Sequence, residues 1–277
     1  MRRVITLTTD FGLEDGYVGT VKGVILGINP DATLVDICHS IGPQDISQAA
    51  FVIGTSYRFF PPGTIHIVAV DPGVGGERRA LAMETPAGTF VAPDNGVLSW
   101  AVRDHLGGAR ELSACGKQPI RGSQIRAVSL SNPRYWLAEL SRTFHARDVF
   151  GPVAAHLSLG VPLDDLGEDV DEISALSLPC PQRRPDGTIV GHVIHVDRFG
   201  NLITDLAWAD VAPSAGEPIF EIAGYRVVGL SRYYAERPGL LALVGSSGNV
   251  EIAFSGGSAA GKLRAGKGAT VVMRWIV

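Results

Sequence analysis

The amino-acid sequence predicts an α/β domain with a mostly parallel sheet, followed by a smaller C-terminal all-β barrel domain. Two observations predict this arrangement. Up to residue 106, short β-rich runs alternate with segments of helical periodicity, as they do in parallel sheets with crossover helices. From residue 188 onward, short β-branched runs are separated by Gly, Ser and Asn, which is typical of a small barrel or sandwich.

Three β-rich runs alternate with two amphipathic segments at the start of the chain. In the amphipathic segments the apolar residues recur every three or four positions, which indicates helices. Beyond them the sequence predicts a hairpin and two further helices. The predicted strands are 3–10, 32–39, 64–71, 79–85 and 88–93, and the predicted helices are 17–29, 45–60, 95–106 and 146–160.

The predicted domain limits follow from changes in composition. Residues 1–165 form the N-terminal α/β domain. Residues 166–187 are first acidic and then Pro-rich, with little periodicity, and they form the predicted linker. Residues 188–277 form the C-terminal β-barrel domain, a normal size for one domain.

Composition limits the classes of protein to consider. The 277 residues are 45% hydrophobic, enough for a full core, and the net charge of -4 argues against a general nucleic-acid binder. Cys38, Cys115 and Cys180 are far apart and odd in number, which fits a reducing compartment better than a disulfide framework. The N-terminal apolar run is too short for a signal peptide or membrane span. We therefore expect a cytoplasmic protein without a membrane segment.

The segment 68–80, "VAVDPGVGGERRA", combines a carboxylate, a Gly-rich turn and two arginines. Its glycine spacing matches no dinucleotide or P-loop motif, and a predicted strand follows it in place of a helix, so a phosphate loop is not favoured. Asp-Pro-Gly is ordinary turn chemistry. A turn can also carry a site, so both interpretations of Asp71 remain open.

Asp10 and Asp71 both follow predicted strands, at the end where ligands bind in open α/β sheets. Asp10 is well placed to accept hydrogen bonds from a vicinal diol such as that of a ribose. The alternative is that Asp10 or Asp15 caps the following helix.

In "VDRFGNLITD", Asp197 and Asn201 flank an Arg-Phe-Gly turn. Asn presents a donor beside an acceptor and can read an adenine edge, although a plain hairpin turn explains the same pattern.

Among the histidines, His145 differs from the others because it precedes a predicted helix beside an Arg and an Asp. His39 and His66 lie in or beside predicted strands, where we expect structural roles. The sequence contains no HExxH or Cys/His ligand spacing, so no metal is predicted, and no GxSxG motif of a serine hydrolase.

Seven motifs, taken together and in order along nearly the whole chain, resemble the S-adenosyl-L-methionine (SAM) hydroxide adenosyltransferase family, which is related to the fluorinase and chlorinase enzymes. The motifs are "TDFG" (9–12), "LVDICHSIGPQD" (34–45), "FFPPGTIH" (59–66), "VDPGVGGERR" (70–79), "APDNGVLS" (92–99), "TFHARDVFGPVAAHLSLG" (143–160) and "DRFGN" (197–201).

The resemblance implies an N-terminal α/β domain, a C-terminal barrel and a homotrimer with active sites between subunits. The implied reaction is hydrolysis of SAM to adenosine and L-methionine, by attack of water or hydroxide on C5′ of the ribose, with no cofactor.

The family's catalytic set carries over to Asp71, Arg78 and His145. Arg78 stays cationic and favours an anionic oxygen, Asp71 holds Arg78 or the water, and His145 accepts or relays the proton. The base remains open between Asp71 and His145. The choice of Arg78 over Arg79 depends on the family register.

The resemblance also implies substrate-binding residues. Asp10 matches the ribose-binding aspartate, and Asp197 and Asn201 match a pair near the methionine and adenine moieties. Tyr234 is the candidate for stacking on the adenine.

Ser231 and Glu236 are candidate polar partners of the methionine end. Ser246 belongs to the segment that meets the methionine carboxylate, in which Ser247 replaces the arginine of the fluorinase.

Two alternatives to a hydrolase are a halide adenosyltransferase and a non-catalytic adenosine or SAM sensor. In the halogenating relatives a tyrosine occupies the position of Asp71, and a serine that of Ala146. A carboxylate at 71 would repel a halide, which favours water as the nucleophile. A sensor would not need Asp71, Arg78 and His145 together.

Overall fold

A computed structural model of the chain describes residues 3–106, 116–211 and 216–276. It divides into two compact units, Met1–Leu178 and Pro179–Val277. The division falls inside the predicted linker, 166–187. Cys115 lies outside the described residues. Among the described residues, no helix is both long enough and apolar enough to cross a membrane.

The first unit contains a sheet, helices on both of its faces and a short two-stranded ribbon. Its strands are β1 (Val4–Thr9), β2 (Thr33–Cys38), β3 (Ile65–Ala69), β4 (Ala80–Thr85), β5 (Gly88–Pro93), β6 (Gly116–Pro119), β7 (Arg126–Leu130), β8 (Gly167–Asp169) and β9 (Glu172–Ala175). Its α-helices are α1 (Tyr17–Ile28), α2 (Ile46–Ser56), α3 (Ser99–Arg103) and α4 (Gly151–Ser158).

The main sheet has the strand order β2-β1-β3-β5-β4-β7-β8. The pairs from β2 to β5 are parallel, as predicted from the alternating strands and helices. The pairs from β5 to β8 are antiparallel, because β4 and β5 form the predicted hairpin and β7 and β8 extend it. The α/β class is confirmed, with parallel pairing confined to half of the sheet.

Helices cover both faces of this sheet. One face packs against α1 and α4, where Val21, Ile25 and Val153 are buried. The other face packs against α2 and α3, where Ile53 and Val102 are buried. Each fully buried aliphatic side chain of this kind stabilises the fold by about 1.5–3 kcal/mol, so the helical periodicity of the sequence decides which stripe faces the sheet.

Two predicted helices differ in the structure. Residues 95–106 contain only the short helix α3. Residues 146–160 begin as a π-helical turn, Ala146–Phe150, before α4 starts at Gly151. The backbone N–H of Gly151 bonds to the carbonyl of Ala146, and Pro152, which has no N–H, occupies the first turn of α4. Such π turns are frequent at functional sites, and periodicity alone does not distinguish them from an α-helix.

Two strands of the first unit lie within the range 166–187. β8 pairs with β7, and β9 forms the separate ribbon with β6. Ile173 and Ala175 of β9 are buried, so this acidic stretch is anchored to the first unit by two alternating apolar residues.

The second unit is an antiparallel sheet that curls into a nearly closed barrel, as the sequence predicts. Its strands are β10 (Gln182–Arg183), β11 (Ile189–Val196), β12 (Leu202–Ala207), β13 (Glu217–Ile222), β14 (Tyr225–Val228), β15 (Leu240–Val244), β16 (Asn249–Phe254) and β17 (Thr270–Ile276). Its short helices are α5 (Trp208–Val211) and α6 (Ala259–Leu263).

Closure of the barrel depends on the segment after β14. The strand order is β14-β13-β17-β11-β12-β16-β15, so β14 and β15 are its two edges. Ser231 forms a bridge to Leu243, and its N–H donates to the carbonyl of Ala242 at 2.7 Å, both on β15. The edge of β15 is thereby covered, which protects it from pairing with other chains.

Candidate active site

Asp10 and Asp71 lie at the same edge of the main sheet. Thr9, at the end of β1, is paired in parallel with Ala69, at the end of β3, so the residues that follow both strands meet. Both aspartates line a cavity of about 240 Å³, together with His145 on the loop before α4. The position beyond the carboxyl ends of the strands is the one predicted from the sequence.

Asp71 and His145, which line this cavity, form one hydrogen-bonded group with Arg78. Arg78 Nε donates to Oδ1 and Oδ2 of Asp71, each at 3.0 Å, and Arg78 Nη2 also contacts Oδ2. The same Nη2 lies 2.8 Å from Nδ1 of His145. The side chains of Asp71 and Arg78 are only 9% and 12% exposed, so bulk water screens this group weakly.

Two consecutive turns return Arg78 to Asp71. The N–H of Val74 donates to the carbonyl of Asp71 at 3.1 Å, and the N–H of Gly76 donates to that of Gly73 at 3.0 Å. Gly75 has φ +75°, and a Cβ there would lie 2.1 Å from the carbonyl oxygen of Arg142. Only glycine satisfies both conditions, so the turn and the loop before His145 can pack directly on each other.

The neighbouring Arg79 has a different partner. It donates through Nε and Nη2 to Oδ2 of Asp94, at 2.9 and 2.6 Å. Lys117 binds the same oxygen at 3.0 Å, and the Ser174 N–H donates to Oδ1 at 2.6 Å. Asp94 is therefore a structural anchor for the β6–β9 ribbon, and of the two arginines Arg78 is the one that contacts Asp71 and His145 of the cavity.

The protonation state of His145 follows from its partner. Burial, and then the Arg78 cation, lower the pKa of His145 below its ordinary value. A guanidinium can only donate hydrogen bonds, so Nδ1 of His145 is the acceptor in the contact with Arg78. His145 is then neutral with its proton on Nε2.

A buried carboxylate holds the loop that carries His145. Asp148 is fully buried in the π-helical turn and accepts from the N–H of Ser141 at 2.7 Å and from Nε of Arg147 at 2.5 Å. It ties both ends of the segment 141–148 together, which limits the movement of His145.

Aromatic side chains form one wall beside the cavity. The rings of Phe11 and Phe144 are 5.7 Å apart edge to face, and Tyr17 lies 5.3 Å from Phe144. The Arg78 guanidinium lies 5.7 Å from the centre of the Phe150 ring. An apolar wall beside a few polar groups is the usual composition of a small-molecule site.

Asp10 faces this cavity and does not cap α1. Its Oδ2 accepts from the backbone N–H of Gln44 at 2.8 Å. The N-cap of α1 is Gly16, which has no side chain, so the alternative prediction that Asp10 or Asp15 caps the helix is wrong. Gln44 has a φ of +64°, an uncommon conformation for a non-glycine residue that turns its N–H towards Asp10.

In the second unit, Asp197 and Asn201 bind each other across a tight turn. Asp197 Oδ2 accepts from the Asn201 side-chain amide at 2.8 Å, and Oδ1 accepts from the N–H groups of Phe199 and Asn201, both at 2.9 Å. Gly200, at φ +80°, completes the turn. The plain turn interpretation is therefore correct in geometry, and it also holds the two predicted binding residues side by side.

Tyr234 is 45% exposed and is anchored by its hydroxyl, which donates to Oε2 of Glu251 at 2.7 Å. Burial is the first cause that raises the pKa of Glu251, and the charge of Asp197 raises it further. Tyr234, Glu251 and Asp197 therefore belong to one neighbourhood of the barrel.

The other predicted binding residues of this unit have separate surroundings. Glu236 accepts from the N–H and Nε of Arg232, at 2.6 and 2.8 Å, so its carboxylate has an internal partner. Ser231 is buried at the barrel seam, and Ser246 is exposed.

Five residues near these sites were not predicted from the sequence. Phe11, Gln44, Phe144 and Asp148 lie inside the motifs, each next to or near a predicted residue, but periodicity assigns them no role. Glu251 alternates with apolar residues in a predicted strand, and its signal was a charged side chain at a position that faces the barrel.

Comparison with models of protein families identifies the family of the chain. The model of the SAM hydroxide adenosyltransferase N-terminal domain matches residues 5–167, and that of the C-terminal domain matches residues 191–272. The chain belongs to the SAM hydroxide adenosyltransferase family. The resemblance inferred from the seven motifs is thus confirmed.

Members and relatives of this family match over most of the chain. The (R)-S-adenosyl-L-methionine hydrolase of Salinispora arenicola is 38% identical over 260 residues, covering 92% of each chain. A fluorinase of Nocardia brasiliensis is 28% identical over 236 residues, covering 76% of this chain and 73% of the fluorinase. The crystal structure of an uncharacterized conserved protein from Thermotoga maritima superposes with a TM-score of 0.84 at 30% identity, covering 98% and 99% of the two chains.

The described residues contain no group of three or more His, Cys, Asp or Glu side chains arranged to hold a metal ion. The ionisable side chains that line the cavity are the carboxylates of Asp10 and Asp71 and the imidazole of His145, and the Arg78 guanidinium is bound to the last two.

Proposed function

We propose that this protein hydrolyses SAM to adenosine and L-methionine, by in-line attack of water or hydroxide on C5′ of the ribose. The observation that carries the proposal is the Asp71–Arg78–His145 group, of which Asp71 and His145 line one cavity with Asp10. The relatives named (R)-S-adenosyl-L-methionine hydrolase support the same substrate.

The reaction makes few demands, and these residues match them. The sulfonium leaves as a neutral thioether, so neither a general acid nor a cofactor is needed. The site has to hold an oxygen nucleophile in line with the C–S bond and favour its anionic form. Arg78, which stays cationic beside Asp71 and His145, stabilises a developing hydroxide there.

The hydrogen-bond directions favour Asp71 as the base. The Nδ1 lone pair of His145 is occupied by Arg78, and Nε2 carries the proton, so neutral His145 orients the water as a donor. The Asp71 carboxylate retains further acceptor capacity beyond its contacts with Arg78, because two oxygens offer about four lone-pair sites. We assign the proton of the attacking water to Asp71.

We assign recognition of the ribose to Asp10, and of the methionine and adenine moieties to Asp197 and Asn201. Tyr234 stacks on the adenine. Ser231, Glu236 and Ser246 stay proposed contacts of the methionine end, with Glu236 first having to exchange its partner Arg232.

We also propose a cytoplasmic homotrimer, in which Asp10 and Asp71 of one subunit and Asp197 and Asn201 of a neighbour form each site. The support for this arrangement is family membership.

The halide adenosyltransferase alternative is disfavoured by electrostatics. Asp71 places a carboxylate in the cavity, where a halide would meet a like charge in a weakly screened environment. A sensor needs only residues that bind the ligand. The sensor alternative therefore does not explain why Asp71, Arg78 and His145 form one hydrogen-bonded group.

Product analysis in ¹⁸O-labelled water tests the proposal. Each sulfonium epimer of SAM is incubated separately with the protein in chloride-containing buffer. From the (R) epimer we expect L-methionine and adenosine, with the ¹⁸O label on the 5′ oxygen of the adenosine. Release of 5′-chloro-5′-deoxyadenosine would establish the halide alternative, and binding without any release would establish the sensor.

A further inference from the structure

A chain of four polar side chains runs behind Asp10. Thr9 Oγ1 lies 2.8 Å from Nδ1 of His39, and Nε2 of His39 lies 3.0 Å from Oδ1 of Asp36. Lys22 Nζ binds the other oxygen of Asp36 at 2.6 Å. Except for its exposed end at Lys22 and Asp36, the chain is buried: Thr9 is 2% exposed and His39 is 5% exposed.

The order Thr–His–Asp resembles a nucleophilic triad, but burial argues against that role. A hydroxyl that is 2% exposed at the end of a central strand is not accessible to a substrate. The contacts of these residues lead instead to the turn that contains Asp10.

The hydrogen bonds of this chain have one consistent set of directions. Thr9 Oγ1 accepts from the N–H of Phe11 at 3.3 Å, so its own proton is available to Nδ1 of His39. The proton of His39 then lies on Nε2, which is 3.0 Å from Oδ1 of Asp36, and the charge of Asp36 is balanced by Lys22.

His39 supports the Asp10 turn from two sides. Its side chain binds Thr9, the residue before Asp10, and its carbonyl accepts from the N–H of Gly12 at 2.9 Å. Residues 9–12 are therefore fixed at both ends by one buried residue, while the N–H of Gln44 takes Oδ2 of Asp10. Within the part of the chain that the structure describes, no group donates to Oδ1 of Asp10, so this oxygen remains for a ligand in the cavity.

We propose that His39 is a positioning residue for ribose recognition, which acts through Thr9 and Gly12 to hold the Asp10 carboxylate against the 2′ and 3′ hydroxyls. The inference rests on the proposed function in taking an adenosine moiety as the ligand. A carboxylate that reads a vicinal diol must be held to within about 0.5 Å, and supporting hydrogen bonds provide that precision.

The chain contains a matched control for this contact. Thr6, three residues earlier on β1, forms the same buried pair, with Oγ1 2.8 Å from Nδ1 of His66. Thr6 and His66 are both fully buried, and neither lines the cavity. Thr9→Val and Thr6→Val remove the same hydroxyl from the same strand, and only the first is connected to Asp10.

The measurement is the dissociation constant of adenosine and of 2′,3′-dideoxyadenosine, which lacks both hydroxyls, for each variant. For Thr9→Val we expect adenosine binding to weaken by about tenfold while dideoxyadenosine binding is unchanged, since one well-made hydrogen bond accounts for about that factor. Thr6→Val should leave the ratio of the two constants at its wild-type value. Asp10→Asn shows the change expected when the diol contact itself is lost.

His39 is tested by a pair of substitutions. His39→Asn keeps a polar atom near the position of Nδ1 and should preserve much of the ratio, whereas His39→Leu should lose it. Thermal unfolding of each variant identifies those that fold. If the apolar variants do not fold, the ratio is measured in His39→Asn and Thr9→Ser.

A structural role alone would lower the unfolding temperature and leave the ratio of adenosine to dideoxyadenosine affinities unchanged. An equal change of that ratio in Thr9→Val and Thr6→Val, or no change in either Thr9→Val or His39→Leu, overturns the inference. Failure of the proposed function would be seen in a different measurement, product analysis, in which the wild-type protein would release no adenosine from SAM.

Discussion

At the residue scale, two adjacent arginines serve different carboxylates. Arg78 binds Asp71 and His145, which line the cavity, and Arg79 binds the buried Asp94 beside the β6–β9 ribbon. They have the same residue type, nearly the same position and the same kind of partner. Each is therefore the best control for the other.

We expect Arg78→Lys to lower kcat by about 10²-fold, a loss typical when a positioned donor to a developing anion is removed. Lys keeps the charge but not the planar fork that binds Asp71 and His145 together. Arg79→Lys should leave kcat within about twofold and lower the free energy of unfolding by about 1 kcal/mol. Steady-state kinetics and denaturant unfolding measure the two effects, and equal loss of kcat in both variants contradicts the assignment.

His145 gives a prediction about pH. Burial and the Arg78 cation lower its pKa, so the neutral form that accepts from Arg78 persists below the ordinary histidine value of about 6.5. As pH falls through the lowered pKa, His145 gains a proton, repels Arg78, and activity should fall. Stability should change with pH in the same direction as activity. The unfolded chain binds this proton more readily than the folded chain, so the folded state loses stability as pH falls below about 6.5.

The pH profile of kcat/KM checks this expectation in wild type and in His145→Gln. The acid limb that belongs to His145 should lie below pH 6.5 in wild type, and the residual activity of the variant should lack that component. An unchanged acid limb in His145→Gln would assign it to another group.

At the scale of elements, the site depends on two loops that pack against each other. The turn after β3 carries Arg78, the loop before the π-helical turn carries His145, and Gly75 lies between them against the carbonyl of Arg142. Neither loop is regular secondary structure. Their relative position depends on a close backbone approach that any side chain at 75 prevents.

We expect Gly75→Ala to lower kcat/KM by more than about tenfold, because a displacement of about 1 Å in a catalytic group is costly. The Cβ would lie 2.1 Å from a carbonyl oxygen and would separate the two loops. Gly122→Ala is the matched control, since Gly122 has nearly the same φ, +78°, with no atom within 4 Å of an added Cβ. Both variants bear the backbone cost of about 1–2 kcal/mol, so kinetics compared with thermal unfolding separates strain from loop displacement.

At the scale of the whole molecule, the candidate residues divide between two compact units. Asp10, Asp71 and His145 belong to the first unit, and Asn201 and Tyr234 to the second. In the proposed homotrimer, each site takes one set from each of two subunits.

Subunit mixing tests this arrangement. Asp71→Asn and Asn201→Ala should each be nearly inactive alone, and trimers reassembled from a mixture of the two should regain activity, because some sites then contain two intact sets. Light scattering gives the oligomeric state of each sample. If mixed trimers form without any gain of activity, each site takes both sets from a single subunit.

Much of this protein is determined locally by its sequence. Helical and strand periodicity places the elements around β1 and β3, the Asp-Pro-Gly turn places a bend after β3, and the order of motifs identifies the family. These features depend on neighbours within a few positions, and the structure confirms the α/β and barrel classes. Periodicity does not distinguish the π-helical turn at 146–150 from an α-helix, and it predicts too long a helix at 95–106.

Only the tertiary structure decided which groups share a proton or a charge. The separate partners of Arg78 and Arg79, the Nδ1 contact of His145 and the hydrogen bond between Thr9 and His39 join residues that are up to 67 positions apart. Such contacts depend on the register of parallel strands and on loops that meet above the sheet. No local pattern in the chain specifies them, because they form only when distant segments pack together.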